Sequence, residues 1–495
     1  MNTLKKFLPL IVVIVMSFWA IKPLLMPGFF PVHDDTQVAR VFEMTKSLRL
    51  GMFPVRWVLD LGYGLGYPIF NFYAPLAYYV GSIFSLIGFD TLVSTKIMMA
   101  LGIILAGVFM YFFSKEFFGK AGGITSALFY VYAPYHALDI YVRGDVAEFW
   151  AYAFVPLVFY GLWKAYKEER WVFLGLGSLG YAGIILSHNL TAMMVSPFLI
   201  LFSFALIISS YRKKRMKAIS YLIGTIVFGV LISAFYWLPA LYEMKYTNVS
   251  SVIGGIGANY VCINQLWSSP WGYGGSIPGC VDGLSFMAGK LHILVSIFSF
   301  IWVIILLTVR KKVDISRSVL VIFSFFGFIF SLFLTLEASG FIWNNIPLMQ
   351  FFQFPWRFLL TASFFSSVLA GSFIWLIKYL PVKRFFPHFV LELSVLLIFA
   401  LLFLNVKFFT PQKFLAVNSN YYTNEYNLKW TTSKISDEYL PKNTKKPKNA
   451  KEALLNKQIF ASEETPIEKS SDLISLAGIA VLIVGIILSV KKRYE

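Results

Sequence analysis

The sequence predicts an all-α polytopic membrane protein, and three observations support this fold class. Of its 495 residues, 58% are hydrophobic and 14% are charged, whereas a water-soluble domain of this size carries far more charge. Apolar runs on the order of 17 to 20 residues, long enough to cross a bilayer, recur along the chain. The 51 phenylalanines and 27 tyrosines suit helices that face lipid and end at headgroup level.

About twelve apolar runs are predicted to cross the membrane. The first follows Lys5 and Lys6 and has no small-residue cleavage site after it, so it is interpreted as a retained span. A further run, Ile69 to Ile87, is ambiguous because Pro75 and several tyrosines suit an interfacial helix. The twelve runs are approximately 7–25, 97–113, 124–138, 149–163, 171–187, 190–210, 219–237, 291–309, 318–336, 358–377, 389–406 and 473–490.

The distribution of basic residues among the loops indicates whether the ambiguous run crosses the membrane. If Ile69 to Ile87 does not cross and the N-terminus is cytoplasmic, every strongly basic short loop lies on the cytoplasmic side, as the positive-inside rule requires. The sequence therefore predicts a cytoplasmic (inner) membrane protein with both termini cytoplasmic, and the net charge of +18 reports orientation and not nucleic-acid binding. The basic loop residues are Lys5, Lys6, Lys115, Lys120, Lys164, Lys167, Arg170, Arg212, Lys213, Lys214, Arg215, Lys217, Arg310, Lys311, Lys312, Arg317, Lys378, Lys383, Arg384, Lys491, Lys492 and Arg493.

The chain is predicted to have three parts. Residues 1–406 form a transmembrane module with a long first extracytoplasmic loop, 26–96, residues 407–471 form a small polar extracytoplasmic segment, and residues 472–495 form the last span and a basic cytoplasmic tail. In the first loop, Thr36 to Leu50 has the pattern of an amphipathic helix, with Arg40 and Glu43 on its polar side. Such a helix is expected to lie along the membrane surface.

Ionisable residues gather on the predicted extracytoplasmic side. Taken singly, each has a structural explanation, because Arg143 and Asp145 could form an ion pair and His188 could end a helix. Taken together they predict one site, since catalytic sites are assembled from loops that a rigid scaffold brings together. The four loops supply His33, Asp34 and Asp35, then Arg143, Asp145 and Glu148, then His188 and Asn189, and finally Arg357.

The two cysteines, Cys262 and Cys280, lie in one polar stretch between apolar runs. They would form a disulfide if that stretch faces an oxidising compartment, and two free thiols are the alternative that the sequence leaves open. No cysteine-rich metal motif is present in the sequence.

An acidic motif just after the first span, followed by surface helices and many more spans, resembles the GT-C class of membrane glycosyltransferases. Within that class the chain is similar to the YfhO-like bacterial membrane proteins, some of them labelled "6-pyruvoyl-tetrahydropterin synthase related". The resemblance covers most of the chain and implies a GT-C-like bundle of about twelve transmembrane helices, with interfacial helices in the first loop. The motifs that carry it are His33-Asp34-Asp35, Arg143-Gly-Asp145-Val-Ala-Glu148, Ser187-His188-Asn189 and Phe354-Pro-Trp356-Arg357-Phe358.

The resemblance implies an inverting glycosyltransferase of cell-envelope glycan biosynthesis. It would move a sugar from a polyprenyl-phosphate-linked donor to a glycan, lipid or protein acceptor at the extracytoplasmic membrane face. Asp34 or Asp35 would occupy the position of the acidic first-loop residue in this class. That carboxylate would accept the proton of the acceptor hydroxyl as general base, or coordinate a divalent cation such as Mg²⁺ or Mn²⁺.

The resemblance also implies that fixed positive charge stabilises the leaving lipid phosphate. Arg143, Arg357 and His188 are the candidates for that charge. Asp145 and Glu148 would orient these cations or bind sugar hydroxyls. The full set assigned to donor phosphate or substrate is His33, Arg143, Asp145, Glu148, His188, Asn189 and Arg357.

Two other functions compete with glycosyl transfer. A transporter or flippase of lipid-linked saccharides predicts ionisable residues at mid-bilayer depth and internal repeats, and the sequence shows neither feature clearly. An assembly factor without activity predicts that the carboxylates are dispensable. The segment 407–471 is shorter than the soluble domain that GT-C proteins often carry, so acceptor recognition stays open.

Overall fold

The computed structural model describes residues 2–209, 215–249, 259–309, 313–379, 388–458 and 464–494. These described residues form helices and loops, with isolated β-bridges but no β-strand among them. The longer helices are α1 (Asn2–Met16), α2 (Gln37–Arg49), α3 (Leu76–Leu86), α4 (Thr91–Val131), α5 (Val146–Glu168), α6 (Trp171–Ser187), α7 (Asn189–Ser209), α8 (Arg215–Ile232), α9 (Ala234–Glu243), α10 (Lys290–Thr308), α11 (Ile315–Thr335), α12 (Leu359–Leu376), α13 (Phe389–Asn405) and α14 (Pro466–Tyr494).

Shorter helical turns connect these helices. The short α-helices are Phe18–Ile21, Ile69–Phe72, Pro134–Leu138, Ile263–Trp267, Gly340–Asn345, Ser419–Thr423, Ser433–Ile435 and Ala450–Leu455. The 3-10 turns are Lys22–Leu25, Met244–Tyr246, Glu337–Ser339, Pro347–Phe352, Pro355–Phe358, Ile377–Tyr379 and Val406–Phe408, and the π-helical turns are Asp139–Arg143 and Asn427–Thr432.

The predicted fold class is confirmed. Within the described ranges, nine helices are long and apolar enough to cross a membrane, and α8 with α9 forms a tenth candidate that bends by 65°. The remaining two predicted spans correspond to α6, an apolar helix of 17 residues, and to the second half of α4. Gly119 divides α4 because its φ of +74° is a left-handed conformation that glycine adopts without steric cost.

The ambiguous run 69–87 forms two short helices. The longer, α3, has 11 residues and is therefore about 16 Å long, roughly half the thickness of the hydrocarbon core. It packs against α2, where the hydroxyl of Ser82 donates to the carbonyl of Val41 over 3.3 Å. Its length and this contact support the interfacial placement.

Part of the predicted basic loops lies outside the described residues. The residues concerned are Arg212, Lys213, Lys214, Arg310, Lys311, Lys312, Lys383 and Arg384. Among the described ones, Lys164 pairs with Glu116 over 3.5 Å, and Lys217 pairs with Glu169 over 2.5 Å.

Two helices form the interior of the bundle. In the most apolar stretch of α12 and its flanking turns, 94% of the residues are buried inside the protein, and in that of α5 the share is 83%. Glycines allow α5 to approach α6 closely, since a Cβ on Gly161 would lie 2.2 Å from the Cα of Gly177. In contrast, only 17% of the residues in the apolar stretches of α13 and of α14 are buried, as expected of helices at the lipid-facing surface. Both interior helices begin beside the polar residues described below.

The polar segment after α13 packs on the first loop. The amide of Phe29 donates to the carbonyl of Leu415 over 3.1 Å, and the amide of Tyr63 donates to the hydroxyl of Ser433 over 3.0 Å. The last helix, α14, begins at residue 466, six residues before the predicted boundary, because Thr465 and Glu468 exchange capping hydrogen bonds at its start. Arg56 of the first loop pairs with Asp472 of this helix over 2.6 Å.

The prediction that the polar side of α2 faces water is wrong. Arg40 is 4% exposed and Glu43 is fully buried, although both were placed toward water. The reason is that α2 lies between α3 and the segment that follows α13, so that no side faces solvent fully. One side-chain oxygen of Glu43 accepts the amides of Leu59 and Asp60, each over 3.1 Å, whereas its other side-chain oxygen is buried without a hydrogen-bond partner.

Candidate functional site

The acidic motif of the first loop lies beside the motif that precedes α5. The amide of His33 donates to the carbonyl of Val142 over 3.1 Å, and the amide of Asp34 donates to the carbonyl of Arg143 over 2.9 Å. Gly144 permits this approach, because it has a φ of +66° and a Cβ there would lie 2.4 Å from the side chain of Val32. Two segments more than 100 residues apart are thus held together by their backbones.

Arg143 is the centre of a buried ion cluster. Its guanidinium contacts Asp139 closely, and lies 2.7 Å from a carboxylate oxygen of Asp145 and 2.9 Å from one of Glu148. Arg357 joins from the other side, 3.5 Å from Glu148. Because buried charges need close partners, the pairs offset the cost of removing these groups from water. Two guanidiniums therefore share three carboxylates.

The helix ends fix the geometry of this cluster. Asp145 caps α5, since its carboxylate accepts the amide of Glu148 over 3.0 Å. Burial opposes ionisation of Asp145, but Arg143 and other nearby cations lower its pKa below the usual value. Asp145 is therefore ionised at neutral pH. The ring of Trp356 covers Arg143, with 4.7 Å between the guanidinium carbon and the ring centre.

His188 is a neutral partner of Arg357. Burial lowers the pKa of His188 to about 4, so that its ring carries no charge near pH 7. Its Nε2 lies 3.3 Å from a guanidinium nitrogen of Arg357, and its Nδ1 lies 2.8 Å from the hydroxyl of Thr191. A neutral ring accepts a hydrogen bond from Arg357 and so positions that arginine without adding positive charge.

A cavity of about 480 Å³ opens between these loops. Seven of the nine residues singled out from the sequence line it, whereas the fully buried Glu148 and the neighbouring Asp35 do not. The seven are His33, Asp34, Arg143, Asp145, His188, Asn189 and Arg357.

The adjacent carboxyl groups of Asp34 and Asp35 have different surroundings. Burial and the charge of Asp145 raise the pKa of Asp34, and Arg143 is among three arginines that oppose this shift. Burial raises the pKa of Asp35 to about 6, and its titratable neighbour is the uncharged phenol of Tyr422 rather than an arginine. Of these two residues, only Asp34 lines the cavity.

The structure adds cavity residues that were not identified as site residues from the sequence. Arg40 comes from α2, Tyr73 from the turn before α3, and Ser436 with Glu438 from the segment after α13. The guanidinium of Arg40 donates to the hydroxyl of Ser436 over 3.1 Å, and burial raises the pKa of Glu438. An arginine in an amphipathic pattern gives no signal of a site, and nothing in the sequence links it to a residue 396 positions later.

One group of three side chains could hold a metal ion in the part of the chain that the structure describes. Ligand atoms of Asp145, Glu148 and His188 lie within 4.8 Å of one another, and the predicted ligands Asp34 and Asp35 are not part of the group. The same three side chains already contact Arg143 and Arg357. A cation there would meet two guanidiniums, so the residues do not fit a metal in this arrangement.

The disulfide left open by the sequence is present between Cys262 and Cys280. It closes the loop that reaches the cavity, where Ser276 accepts a hydrogen bond from the indole of Trp356 over 3.1 Å. In the same loop, the carbonyl of Tyr273 lies 3.0 Å from the ring nitrogen of His33. The disulfide therefore restrains one wall of the site.

Comparison with known proteins supports the predicted resemblance. Residues 70–256 match the model of the 6-pyruvoyl-tetrahydropterin synthase related domain, a membrane protein family. An uncharacterized protein of Lactococcus lactis subsp. cremoris is 24% identical over 242 residues, which are 48% of this chain and 39% of the relative. The matched family segment includes Arg143, Asp145, Glu148, His188 and Asn189.

Solved structures are similar over nearly the whole chain. The Archaeoglobus fulgidus oligosaccharyltransferase, tethered to an acceptor peptide with the NVT sequon, has a TM-score of 0.52 and 12% identity over 97% of this chain and 64% of its own. The arabinofuranosyltransferase AftD from Mycobacteria has a TM-score of 0.48 and 13% identity over 83% of this chain and 27% of its own. This chain thus spans less than two thirds of either protein. The fold of this chain is similar to that of the Archaeoglobus fulgidus oligosaccharyltransferase, and its residues 70–256 match the model of the 6-pyruvoyl-tetrahydropterin synthase related membrane protein family.

Proposed function

We propose that this protein is a glycosyltransferase that moves a sugar from a polyprenyl-phosphate-linked donor to an acceptor at the extracytoplasmic membrane face. One observation carries the proposal. A single cavity at the ends of the membrane helices brings the Asp34 carboxyl group together with the guanidiniums of Arg40, Arg143 and Arg357. A base for an acceptor hydroxyl and positive charge for a leaving phosphate are the two requirements of this reaction. The GT-C fold is consistent with it.

Asp34 is the proposed general base. The oxygen of the acceptor hydroxyl forms a bond to the anomeric carbon while the bond from that carbon to the phosphate oxygen breaks. The phosphate leaves with the electron pair, and the hydroxyl proton passes to Asp34. A raised pKa strengthens Asp34 as a proton acceptor. A single displacement of this kind inverts the anomeric configuration.

The ion cluster behind the cavity is proposed to hold the site in shape. Arg143 has three carboxylate partners and its face is covered by Trp356, so little of its charge is left for a ligand. Arg357 lies on the cavity with longer contacts, 3.5 Å to Glu148 and 3.9 Å to Asp145. We therefore assign contact with the substrate to Arg357 and positioning of α5 and the first loop to Arg143.

The extracytoplasmic location is proposed from the parity of the predicted spans. Twelve crossings, with 69–87 at the interface, place an even number of spans between any two of Asp34, Asp145, His188, Arg357 and Glu438. All five residues line one cavity, which is consistent with this topology. The basic loops then face the cytoplasm, in agreement with the positive-inside rule. The disulfide is on the oxidising side in the same arrangement.

The test is donor turnover by the purified protein in nanodiscs. A panel of polyprenyl-phosphate sugars is supplied with and without a mixture of candidate acceptors, and mass spectrometry follows the appearance of the sugar-free polyprenyl phosphate. We expect cleavage of at least one donor. A transporter or flippase would move labelled donor across a liposome membrane without cleaving it, and that result would replace the proposed function.

A further inference from the structure

Arg40 differs from the other two arginines of the cavity. It is 4% exposed, yet no carboxylate lies within 4.0 Å of it among the side chains that the structure describes. One guanidinium nitrogen donates to the hydroxyl of Tyr78 over 3.2 Å and the other to the hydroxyl of Ser436 over 3.1 Å. Its Nε atom is buried and has no hydrogen-bond partner. The direct hydrogen-bond partners of Arg40 are therefore neutral hydroxyl groups, and the acidic groups of Asp34 and Glu438 interact with its charge without contacting it.

The surroundings hold this charge at the cavity rather than neutralise it. The ring of Tyr73 lies 4.2 Å from the guanidinium carbon of Arg40 and fixes its plane. Tyr73 and Ser436 line the same cavity as Arg40. A buried charge without a contacting counter-ion is costly, so a site of this kind is completed by an anion that enters it. Arg143, in contrast, has its carboxylates built into the fold.

A chain of hydrogen bonds connects Arg40 to the loop that carries Asp34. Tyr78 accepts from Arg40 and donates to the side-chain oxygen of Gln37 over 2.6 Å. The amide nitrogen of Gln37 donates to the carbonyl of Gly144 over 2.7 Å and to that of Asp34 over 3.1 Å. An anion on Arg40 would therefore bind next to a proton acceptor whose backbone is fixed by the same network.

We propose that Arg40 is the main ligand of a phosphate group in this cavity, with Ser436 of the segment after α13 beside it. The inference rests on the proposed function, in which that phosphate belongs to the lipid-linked donor. It assigns to the segment after α13 a direct part in donor binding, because Ser436 orients the arginine. Phosphate chemistry alone could come from the donor lipid, from inorganic phosphate or from an anionic lipid headgroup.

Binding of decaprenyl phosphate without sugar tests the inference. The full-length protein is placed in phosphatidylcholine nanodiscs, and the dissociation constant is measured for wild type, Arg40→Gln, Arg40→Lys and Arg49→Gln. Loss of a hydrogen-bonded charge is expected to weaken binding by about 10- to 100-fold in Arg40→Gln. Arg40→Lys should recover part of the loss, since it keeps the charge but not the planar fork. Arg49 lies exposed at the end of the same helix and serves as the matched control.

Several outcomes separate this inference from the proposed function. Unchanged binding in a monodisperse Arg40→Gln protein, with an unchanged donor KM for sugar transfer, would overturn the inference and leave the function intact. Binding that depends on Arg40 in a protein that cleaves no donor would overturn the function instead. A folding defect reduces the fraction of active protein and so lowers the apparent kcat without changing KM. A raised donor KM with a retained melting temperature therefore supports the direct role of Arg40.

Competition identifies the source of the phosphate. Displacement of decaprenyl phosphate by millimolar inorganic phosphate supports a site that recognises the anion itself, and resistance to it supports recognition of the lipid-linked group. Displacement by phosphatidylglycerol to the same extent in wild type and Arg40→Gln would show general attraction to anionic headgroups, and would overturn the assignment to Arg40.

Discussion

Replacement of the two adjacent carboxylates of the first loop gives the sharpest test of the reaction. Asp34→Asn keeps the size of the side chain and the backbone bonds of residue 34 to Arg143 and Gln37, so the fold should persist. It removes the proton acceptor from the cavity. General-base catalysis contributes about 10²- to 10⁴-fold in rate, which corresponds to roughly 3 to 5 kcal/mol of transition-state stabilisation. We expect kcat to fall by that factor.

Asp35→Asn is the matched control for this experiment. Asp35 does not line the cavity, and burial raises its pKa to about 6, so its ionised form is disfavoured in the fold. Removing the charge should leave activity within about two-fold of wild type and should not lower stability. Both variants are compared by donor cleavage in nanodiscs and by melting temperature.

The refuting result is specific. Full activity in a folded Asp34→Asn protein, or loss of activity in Asp35→Asn with Asp34→Asn unaffected, contradicts the assignment of the base from the cavity wall. A loss of both activity and melting temperature in Asp34→Asn would show that this residue acts through the fold instead.

The remaining predictions concern pH, metal ions and the buried cluster. Because the pKa of Asp35 is raised to about 6 in the fold, its contribution to stability is complete below its ordinary pKa near 3.8 and is lost as pH rises through 6, so melting curves of wild type and Asp35→Asn should diverge across that interval. Donor cleavage should survive EDTA and should not be stimulated by Mg²⁺ or Mn²⁺, because Arg143 and Arg357 occupy the oxygen and nitrogen atoms that a cation would use, and activity that is lost on chelation and restored by Mn²⁺ would contradict this. Arg143→Gln should lower the free energy of unfolding by about 3 to 5 kcal/mol, since it leaves three buried carboxylates with one longer-range cation, and an unchanged melting temperature would disprove the structural role of the cluster.

The membrane spans and the grouping of the polar loops could be predicted from the sequence because both depend on local properties. The length of an apolar run decides whether a helix can cross, and charge in short loops indicates the side. These two rules alone placed Asp34, Asp145, His188 and Arg357 on one side of the membrane. The structure places all four on one cavity. The motifs in these loops also indicated the membrane family that matches residues 70–256.

Helix packing decided what the sequence pattern described wrongly or left open. The pattern of α2 predicted a surface helix, but α3 and the segment after α13 enclose it and bury Arg40 beside Ser436. No local rule connects residues that lie 396 positions apart. The cysteines are a second example. Their spacing in the sequence allowed a disulfide, and the fold of their loop brings the two residues close enough to form it.

The sequence by itself determined that the chain consists of apolar helices long enough to cross a membrane, and it predicted that the polar motifs emerge on one side, because hydrophobic length and loop charge act over a few residues. Only the tertiary structure distinguished Asp34 from Asp35, and Arg40 from Arg143. Neighbouring carboxyl groups have the same chemistry in a chain, and the arginines differ only in their surroundings. Their roles depend on burial and on the distance to charges contributed by remote segments, which arise when the helices pack.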